Sequence, residues 1–362
     1  MNKQKNSTSS INIRRDLWIG AVFLLVAALL PIIGMSNYVL TQVTLFFIWA
    51  AVVTQWNLVF GVAGVFSLGH MAVFAAGGYV TAMMGLYLDI NLWLALPIGA
   101  LAAVIFSLLM GAATLRLRGP YIAVMTFAIA QGIYALIITD VDCFIMADLL
   151  CLNFTGGAKG LIHYGNFGFR EWLGYSHRLW GNYYMGLALL TLGLVFALCV
   201  MYSPIGLTFG ALRDNQICAE ARGINRIRFQ LLVFAVSGIF TGLAGGVYAG
   251  ILGTIGPDIF SLSLLLFLLS MMVVGGRGTR WGPVLGAAAL MVVDSGLREI
   301  PEFRNFGLAL IIILSMIFLP GGLVKLVHGI FHWQPRSLIK LERTDQQLRQ
   351  FQNQKTSKTK VY

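Results

Sequence analysis

SPIGLTFGALRDNQICAEARGINRIRFQ, residues 203–230, is a polar and basic stretch set between two apolar ones. It holds Arg213, Arg222, Arg226 and Arg228. Its flanks, Tyr183–Tyr202 and Leu231–Gly253, read as membrane spans, because a helix needs about 20 residues to cross roughly 30 Å of hydrocarbon. Working outward, eight more apolar segments follow the same pattern: Leu17–Met35, Tyr38–Phe60, Ala63–Leu88, Leu92–Leu115, Pro120–Thr139, Leu262–Gly275, Gly282–Leu297 and Phe306–Leu319. The sequence therefore predicts an all-α polytopic membrane protein of about ten transmembrane helices. Leu262–Gly275 and Gly282–Leu297 are short, which implies a tilted, broken or merged span.

Charge sets the expected orientation. With the N-terminus in the cytoplasm, ten spans return the C-terminus there. The cytoplasmic pieces then hold Lys3, Lys5, Arg14, Arg15, Arg116, Arg118, the four arginines of 203–230, Arg277 and Arg280. The tail adds Lys325, Arg336, Lys340, Arg343, Arg349, Lys355, Lys358 and Lys360. Of the 25 basic residues only Lys159, Arg170, Arg178, Arg298 and Arg304 fall on the other side. That skew is the positive-inside pattern, and both termini are expected in the cytoplasm.

Composition agrees. Hydrophobic residues are 58% and charged residues 11% of the 362, against about 25% charged in soluble domains. The net charge of +11 follows from the positive-inside pattern and a basic tail near anionic lipid, so no nucleic-acid partner is expected. Residues 1–16 read as a cytoplasmic N-terminal segment, 17–326 as the membrane domain and 327–362 as a cytoplasmic tail. Leu17–Met35 is longer than a signal-peptide core and lacks a cleavage site, so it reads as an uncleaved span.

Two long connections divide the spans into five plus five. Five is odd, so the second half starts in the opposite orientation, as an inverted repeat requires. The outer connection, Asp140–Asn182, contains TGGAKG, and Cys143 and Cys151 within it are placed to pair in an oxidising compartment. The inner connection is 203–230. There Asp214 or Asn215 suits the N-cap of a short helix, QICAEAR, and Gly223 suits its left-handed end. Ala219 and Ala221 are small; Glu220 and Arg222 face out. Such a helix fits a groove on another protein, although a plain surface loop has the same composition.

SLGHMAVFAAGGYVTAM, beginning at Ser67, is rich in glycine, with Gly69, Gly77 and Gly78. It reads either as a kink lining a pathway, with Ser67, Gly69 and His70 as its polar part, or as a packing seam around a satisfied histidine. His70 has no partner at metal-ligand spacing. Asp294 is the one acidic residue within an expected span, with Arg298 one turn away. There is no GxxxxGK[ST] phosphate loop.

GALRDNQICAEARGI resembles the coupling segment of branched-chain amino acid ABC transporter permeases of the LivM type. WNLVFGVAGVFSLGHMAVFAAGGY, LRLRGPYIAVMTFAIAQ, FTGGAKGL and GGRGTRWGPVLGA match further stretches of that family in order, from about Asn57 to Leu323. The departures are Cys218 for an alanine, Arg222 and Arg277 at commonly apolar positions, the extra charge of Arg280, and Lys159 in the TGG loop. The resemblance implies a permease subunit, not an enzyme, of an importer in the bacterial inner membrane. It implies ATP-binding partner subunits that hydrolyse ATP, a second and non-identical permease subunit, and an extracytoplasmic substrate-binding protein, with no cofactor on this chain. It places ATPase coupling on Arg213, Asp214, Asn215, Ala219, Glu220, Ala221 and Gly223. It places the pathway at Ser67, Gly69, His70, Thr155, Gly156 and Gly157. Close relatives that carry urea or short amides leave the substrate open. From residues alone the rival is an ion-coupled secondary transporter, for which only Asp294 speaks.

Overall fold

The computed structural model describes residues 20 to 297 apart from 21, 35, 118, 148 and 149, together with 307, 310, 313 and 322–324. The expected N-terminal segment, the tail, Arg298 and nearly all of the span Phe306–Leu319 lie outside the described residues. In chain order the helices are α1 (Val22–Ile32), α2 (Asn37–Asn57), α3 (His70–Leu88), α4 (Leu92–Ala113), α5 (Pro120–Ile138), α6 (Phe169–Tyr202), α7 (Pro204–Asp214), α8 (Gln216–Ala221), α9 (Arg226–Leu252), α10 (Leu262–Gly275) and α11 (Gly282–Leu297). Two small antiparallel pairs, β1 (Cys143–Ala147) with β2 (Leu150–Asn153) and β3 (Leu161–Ile162) with β4 (Thr254–Ile255), qualify the expected all-α character.

Among the described residues six helices are long and apolar enough to cross a membrane: α2 with its extension to Val62, α3, α4, α5, α6 from His177 onward, and α9. α1, α10 and α11 are shorter apolar helices. The expected boundaries change in three places. Ala63–Leu88 is not one helix: α2 runs on through a π-helical turn, Leu58–Val62, and α3 starts only at His70. Phe169–Asn182 belongs to α6, with non-helical backbone at Gly174, and is not loop. Residues 203–230 are mostly helical, as α7, α8 and the start of α9.

The helices pack as a membrane bundle does. α4 turns an apolar stripe outward, Leu94, Ile98, Leu101, Ile105 and Leu109, all exposed. Its small residues Ala95, Gly99, Ala103 and Ser107 turn inward. In lipid the outward stripe costs nothing, and association rests on close backbone approach through small residues. α3, α4 and α9 meet in this way. A Cβ on Gly77 would land on the Gly242 backbone, and one on Gly245 would land on the Phe74 carbonyl. α2 is buried almost throughout its second half, from Phe47 to Asn57. α10 and α11 pair through Gly275, Gly282 and Gly286.

At the end of the bundle reached by the C-termini of α3 and α9, the chain between α5 and α6 forms a cover. β3 joins it to β4, the Tyr164 hydroxyl donates to Ala249 O (2.9 Å), and Trp93 Nε1 donates to Phe167 O (3.1 Å). Cys143 is disulfide-bonded, whereas Cys199 and Cys218 are free. Non-reducing peptide mapping of the mature protein should find Cys143 linked to Cys151. Alkylation of both thiols without reductant would remove the link. A Cys143–Cys151 link would close a short hairpin, and Cys143→Ser should then cost about 2–3 kcal/mol in a chain-entropy account.

Two connections resemble each other. Gly61–Val–Ala–Gly64 closes α2, and Gly250–Ile–Leu–Gly253 closes α9. Gly64 and Gly253 both take left-handed backbone, φ 72° and 68°. Each is followed by a passage outside the α-helices, which in the second case includes a 3-10 turn at Pro257–Phe260, and then by an α-helix, α3 or α10. The first connection lies beside α7, at Arg213; the second lies beside the cover, at Gly160. They sit at opposite ends of the bundle.

Candidate functional site

The basic end carries a platform of two short helices. α6 stops at Tyr202, and Ser203 turns the chain: its backbone is extended and its hydroxyl accepts from Gly206 N (3.4 Å). Pro204 follows at the first helical position, where its missing N–H is harmless. Phe209 anchors α7 inside, packed against Phe229 with ring centroids 6.2 Å apart. Asn215 is extended, separates α7 from α8, and caps α8 by accepting from Cys218 N (3.1 Å). Of the two cap candidates, Asn215 fills the role.

α8 ends in a complete Schellman motif. Gly223 has φ 85°; its N–H donates to Glu220 O (2.9 Å), and Ile224 N–H donates to Ala219 O (3.2 Å). Ala219 points inward and is buried. Glu220, Ala221 and Arg222 are exposed, and Glu220 accepts from Gln216 Nε2 within the helix (2.8 Å). Ile217 is 79% exposed and Leu207 is 73% exposed. Ile217, one turn before Glu220 on α8, makes with it a small face of mixed chemistry standing out from the bundle.

Arg213 does not belong to that face. Its Nη1 donates to Gly61 O (2.9 Å), while Nε and Nη2 donate to Asp214 Oδ1 (3.0 Å each). Asp214 is exposed and forms an ion pair with this guanidinium. A recess of about 200 Å³ opens behind α7, lined by Gly64, Val65, Ile122, Phe209, Arg213 and Arg226 among others. Arg226 borders it and donates through Nη2 to Leu117 O (2.7 Å).

Ser67, Gly69 and His70 come together at the start of α3. Trp56 Nε1 donates to Ser67 O (2.8 Å), and the His70 ring stacks on Trp56 at 5.7 Å and 4°. His70 Nε2 lies 3.1 Å from Thr241 Oγ1. The single Thr241 hydroxyl proton goes to Ser237 O (2.8 Å), so His70 Nε2 is the donor and Nδ1 an acceptor. Nδ1 has no partner among the described residues, although the ring is fully buried. Gly69 is forced small by Met110 and Thr126 O. This is a packed seam with one buried unmet acceptor.

Thr155, Gly156 and Gly157 do not join them. Thr155 N and Oγ1 both bond Asp140 Oδ2 (2.6 Å each) at the end of α5. The hydroxyl of Tyr87, the penultimate residue of α3, lies within hydrogen-bond distance of Asn153 O and Phe154 O (3.0 and 2.8 Å). His70 begins that helix and the TGG turn meets its far end, roughly 27 Å away at 1.5 Å per residue. The residues expected along the pathway thus lie at the two ends of α3. Asp294 is buried in α11. No group of three or more His, Cys, Asp or Glu is placed to hold a metal among the described residues.

Sequence reasoning missed Asn57, Gly61, Gly278 and Thr279. Asn57 Oδ1 accepts from Gly278 N (2.7 Å), and Asn57 Nδ2 donates to Thr279 O (3.0 Å). The signal was an amide side chain, fully buried, at the end of an apolar run.

Residues 38–319 match the family model described as branched-chain amino acid transport system / permease component. The chain is 29% identical to the high-affinity branched-chain amino acid transport system permease protein LivM of Escherichia coli (strain K12), over 75% of this chain and 66% of that protein. It thus spans just under two thirds of that relative. It is 31% identical to the autoinducer 2 import system permease protein LsrC of Photorhabdus laumondii, over 41% of this chain and 47% of that one. A fructose import permease protein, FrcC of Rhizobium meliloti, is 25% identical over 37% and 42%. No solved structure matches the chain.

Proposed function

Because this multi-pass membrane protein belongs to the branched-chain amino acid transport permease family, we propose that it is a permease subunit of an ABC importer for branched-chain or related amino acids. The observation that carries this is the α7–α8 platform: a short helix capped at both ends, projecting from an apolar bundle, with exposed Ile217 beside Glu220. A separate ATPase subunit docks on α8. Closing of two such subunits around ATP moves the platform and switches the pathway between sides. ATP is hydrolysed on those partner chains; this polypeptide transmits motion and forms part of the path. A binding protein delivers substrate to the covered end, and a second permease subunit, non-identical in the family pattern, completes the path.

The basic end is then cytoplasmic, with both termini there and the cover outside. The matched α2–α3 and α9–α10 connections, at opposite ends, support two inverted halves, and ten spans complete them. The LivM protein matches over a longer share of this chain than the LsrC and FrcC permeases do, which favours amino acids over the cargoes named for those two.

Co-expression with the neighbouring ATPase and binding protein tests the reading. ATP-dependent uptake of leucine, isoleucine or valine into proteoliposomes is expected, with the ATPase co-purifying. Uptake of a sugar and not of these amino acids would reassign the cargo. Orientation is checked separately in a background lacking the native cysteines. Asn166→Cys should react with an impermeant maleimide from outside intact cells and Asn215→Cys should not. The reverse pattern would invert the topology.

A further inference from the structure

Three chain segments meet behind the platform. The first is the π-helical end of α2, whose wide turn is closed by Ala63 N donating to Leu58 O (3.0 Å). π-turns inside helices are concentrated at functional sites. The second is the end of α7, through Arg213. The third is the turn between α10 and α11, through Gly278 and Thr279. Backbone meets backbone here: a Cβ on Gly61 would strike Gly278 N, and one on Gly64 would lie 2.5 Å from Arg213 Cγ. Gly64 and Gly278 are both left-handed, φ 72° each. Arg213 Nη1 bonds Gly61 O, and Asn57, one helical turn earlier, clamps the third segment with its two bonds to Gly278 and Thr279. On the same turn Arg277 lies over the Phe60 ring at 5.9 Å.

We propose that Arg213 is a positioning residue for energy coupling: it clasps the docking platform to the end of α2, which Asn57 holds to the α10–α11 turn, so that all three move together. The inference rests on the permease reading above. A guanidinium suits the task, because its planar fork bonds Asp214 on the platform and Gly61 on the bundle at once. The contact is short, and on the bundle side it falls on backbone, at Gly61, which packs directly on the Gly278 backbone. Displacement of α7 is therefore passed on and not absorbed by side-chain rotation. Docking itself falls to the exposed face of α8, where Glu220 and Ile217 lie.

The test uses the full importer in proteoliposomes and reads substrate transported per ATP hydrolysed. In Arg213→Ala the ATPase should stay bound at wild-type stoichiometry and keep hydrolysing ATP. Transport per ATP should fall about tenfold, within the span of a typical coupling energy. Arg213→Lys, which keeps a cationic donor for Gly61 O, should recover part of it. Asn57→Ala should lower the same ratio, and the double variant should be little worse than the worse single one, as for residues in one connected unit. An unchanged ratio in Arg213→Ala overturns the proposal. Loss of the ATPase from that variant also overturns it, by assigning Arg213 to docking. If Arg213→Ala does not reach the membrane, unchanged ratios in both Arg213→Lys and Asn57→Ala overturn it. A wild-type chain that binds no ATPase brings down the permease reading and this inference with it; every other outcome leaves that reading standing.

Discussion

Gly245→Val is expected to prevent assembly of the helix bundle. The first side-chain atom would fall on the carbonyl oxygen of Phe74 and lie 2.8 Å from Gly78 N. Both neighbours are backbone of α3, so nothing on the facing side can rotate away. Overpacking a well-packed core usually costs about 1–3 kcal/mol, and a clash with fixed backbone belongs at or above that range. Helix association in lipid has no hydrophobic gain to offset the loss, because lipid tails accept the separated faces equally well. Gly132→Ala is the control: Gly132 is exposed on α5, with nothing within 4 Å of an added Cβ. Alanine is the better helix former there by about 1 kcal/mol in water-soluble hosts. Detergent-solubilised Gly132→Ala should elute as the wild type does on size exclusion, while Gly245→Val should be aggregated or missing. A monodisperse Gly245→Val would show that α3 and α9 do not need this approach.

That contact illustrates what sequence could and could not give. Apolar runs and the skew of arginines predicted where helices lie, and nine of the ten expected segments correspond to apolar helices among the described residues. Hydropathy failed at Ala63–Gly69. That passage is as apolar as its neighbours, yet Gly61, Gly64 and Gly69 each face atoms that leave no room for a side chain. The backbone leaves the helix at Gly64, which takes φ 72°, a conformation that hydropathy does not register. α7 was hidden for the opposite reason. PIGLTFGALRD looks like loop by its proline and glycines, but Ser203 and Pro204 are a helix start by capping chemistry. At the candidate site the local chemistry was legible: Asn215 and Gly223 are residue types that leave few alternatives. The role of Arg213 was not. Its long side chain reaches Gly61, 152 positions away, and no local pattern encodes a contact at that separation. That His70 and Thr155 lie at opposite ends of α3 was likewise not legible, since motif order along the chain carries no distance.

The strongest functional effect is expected at the exposed end of α8. Glu220 stands out from the bundle, and among the described residues its partner is Gln216 of its own helix. A change there should leave folding within about 0.5 kcal/mol of wild type. Glu220→Lys should nevertheless abolish uptake and release the ATPase, because opposed like charges at a contact cost several kcal/mol. Gly223 acts through geometry. At φ 85° a residue with a Cβ pays roughly 1–2 kcal/mol, and a β-branched one more. Gly223→Val should break the Schellman pair from Gly223 N and Ile224 N and misaim α8, with the same loss of uptake. Gly223→Asn should keep most transport, since asparagine tolerates the left-handed conformation. This ordering separates a conformational role from simple loss of space: nothing lies within 4 Å of an added Cβ at Gly223, so valine and asparagine differ there mainly in backbone preference. Uptake and ATPase co-purification measured side by side for the three variants decide it. Wild-type uptake by Glu220→Lys with the ATPase still bound would remove α8 as the docking element. Equal activity of the valine and asparagine variants would leave the helix end without a part in coupling.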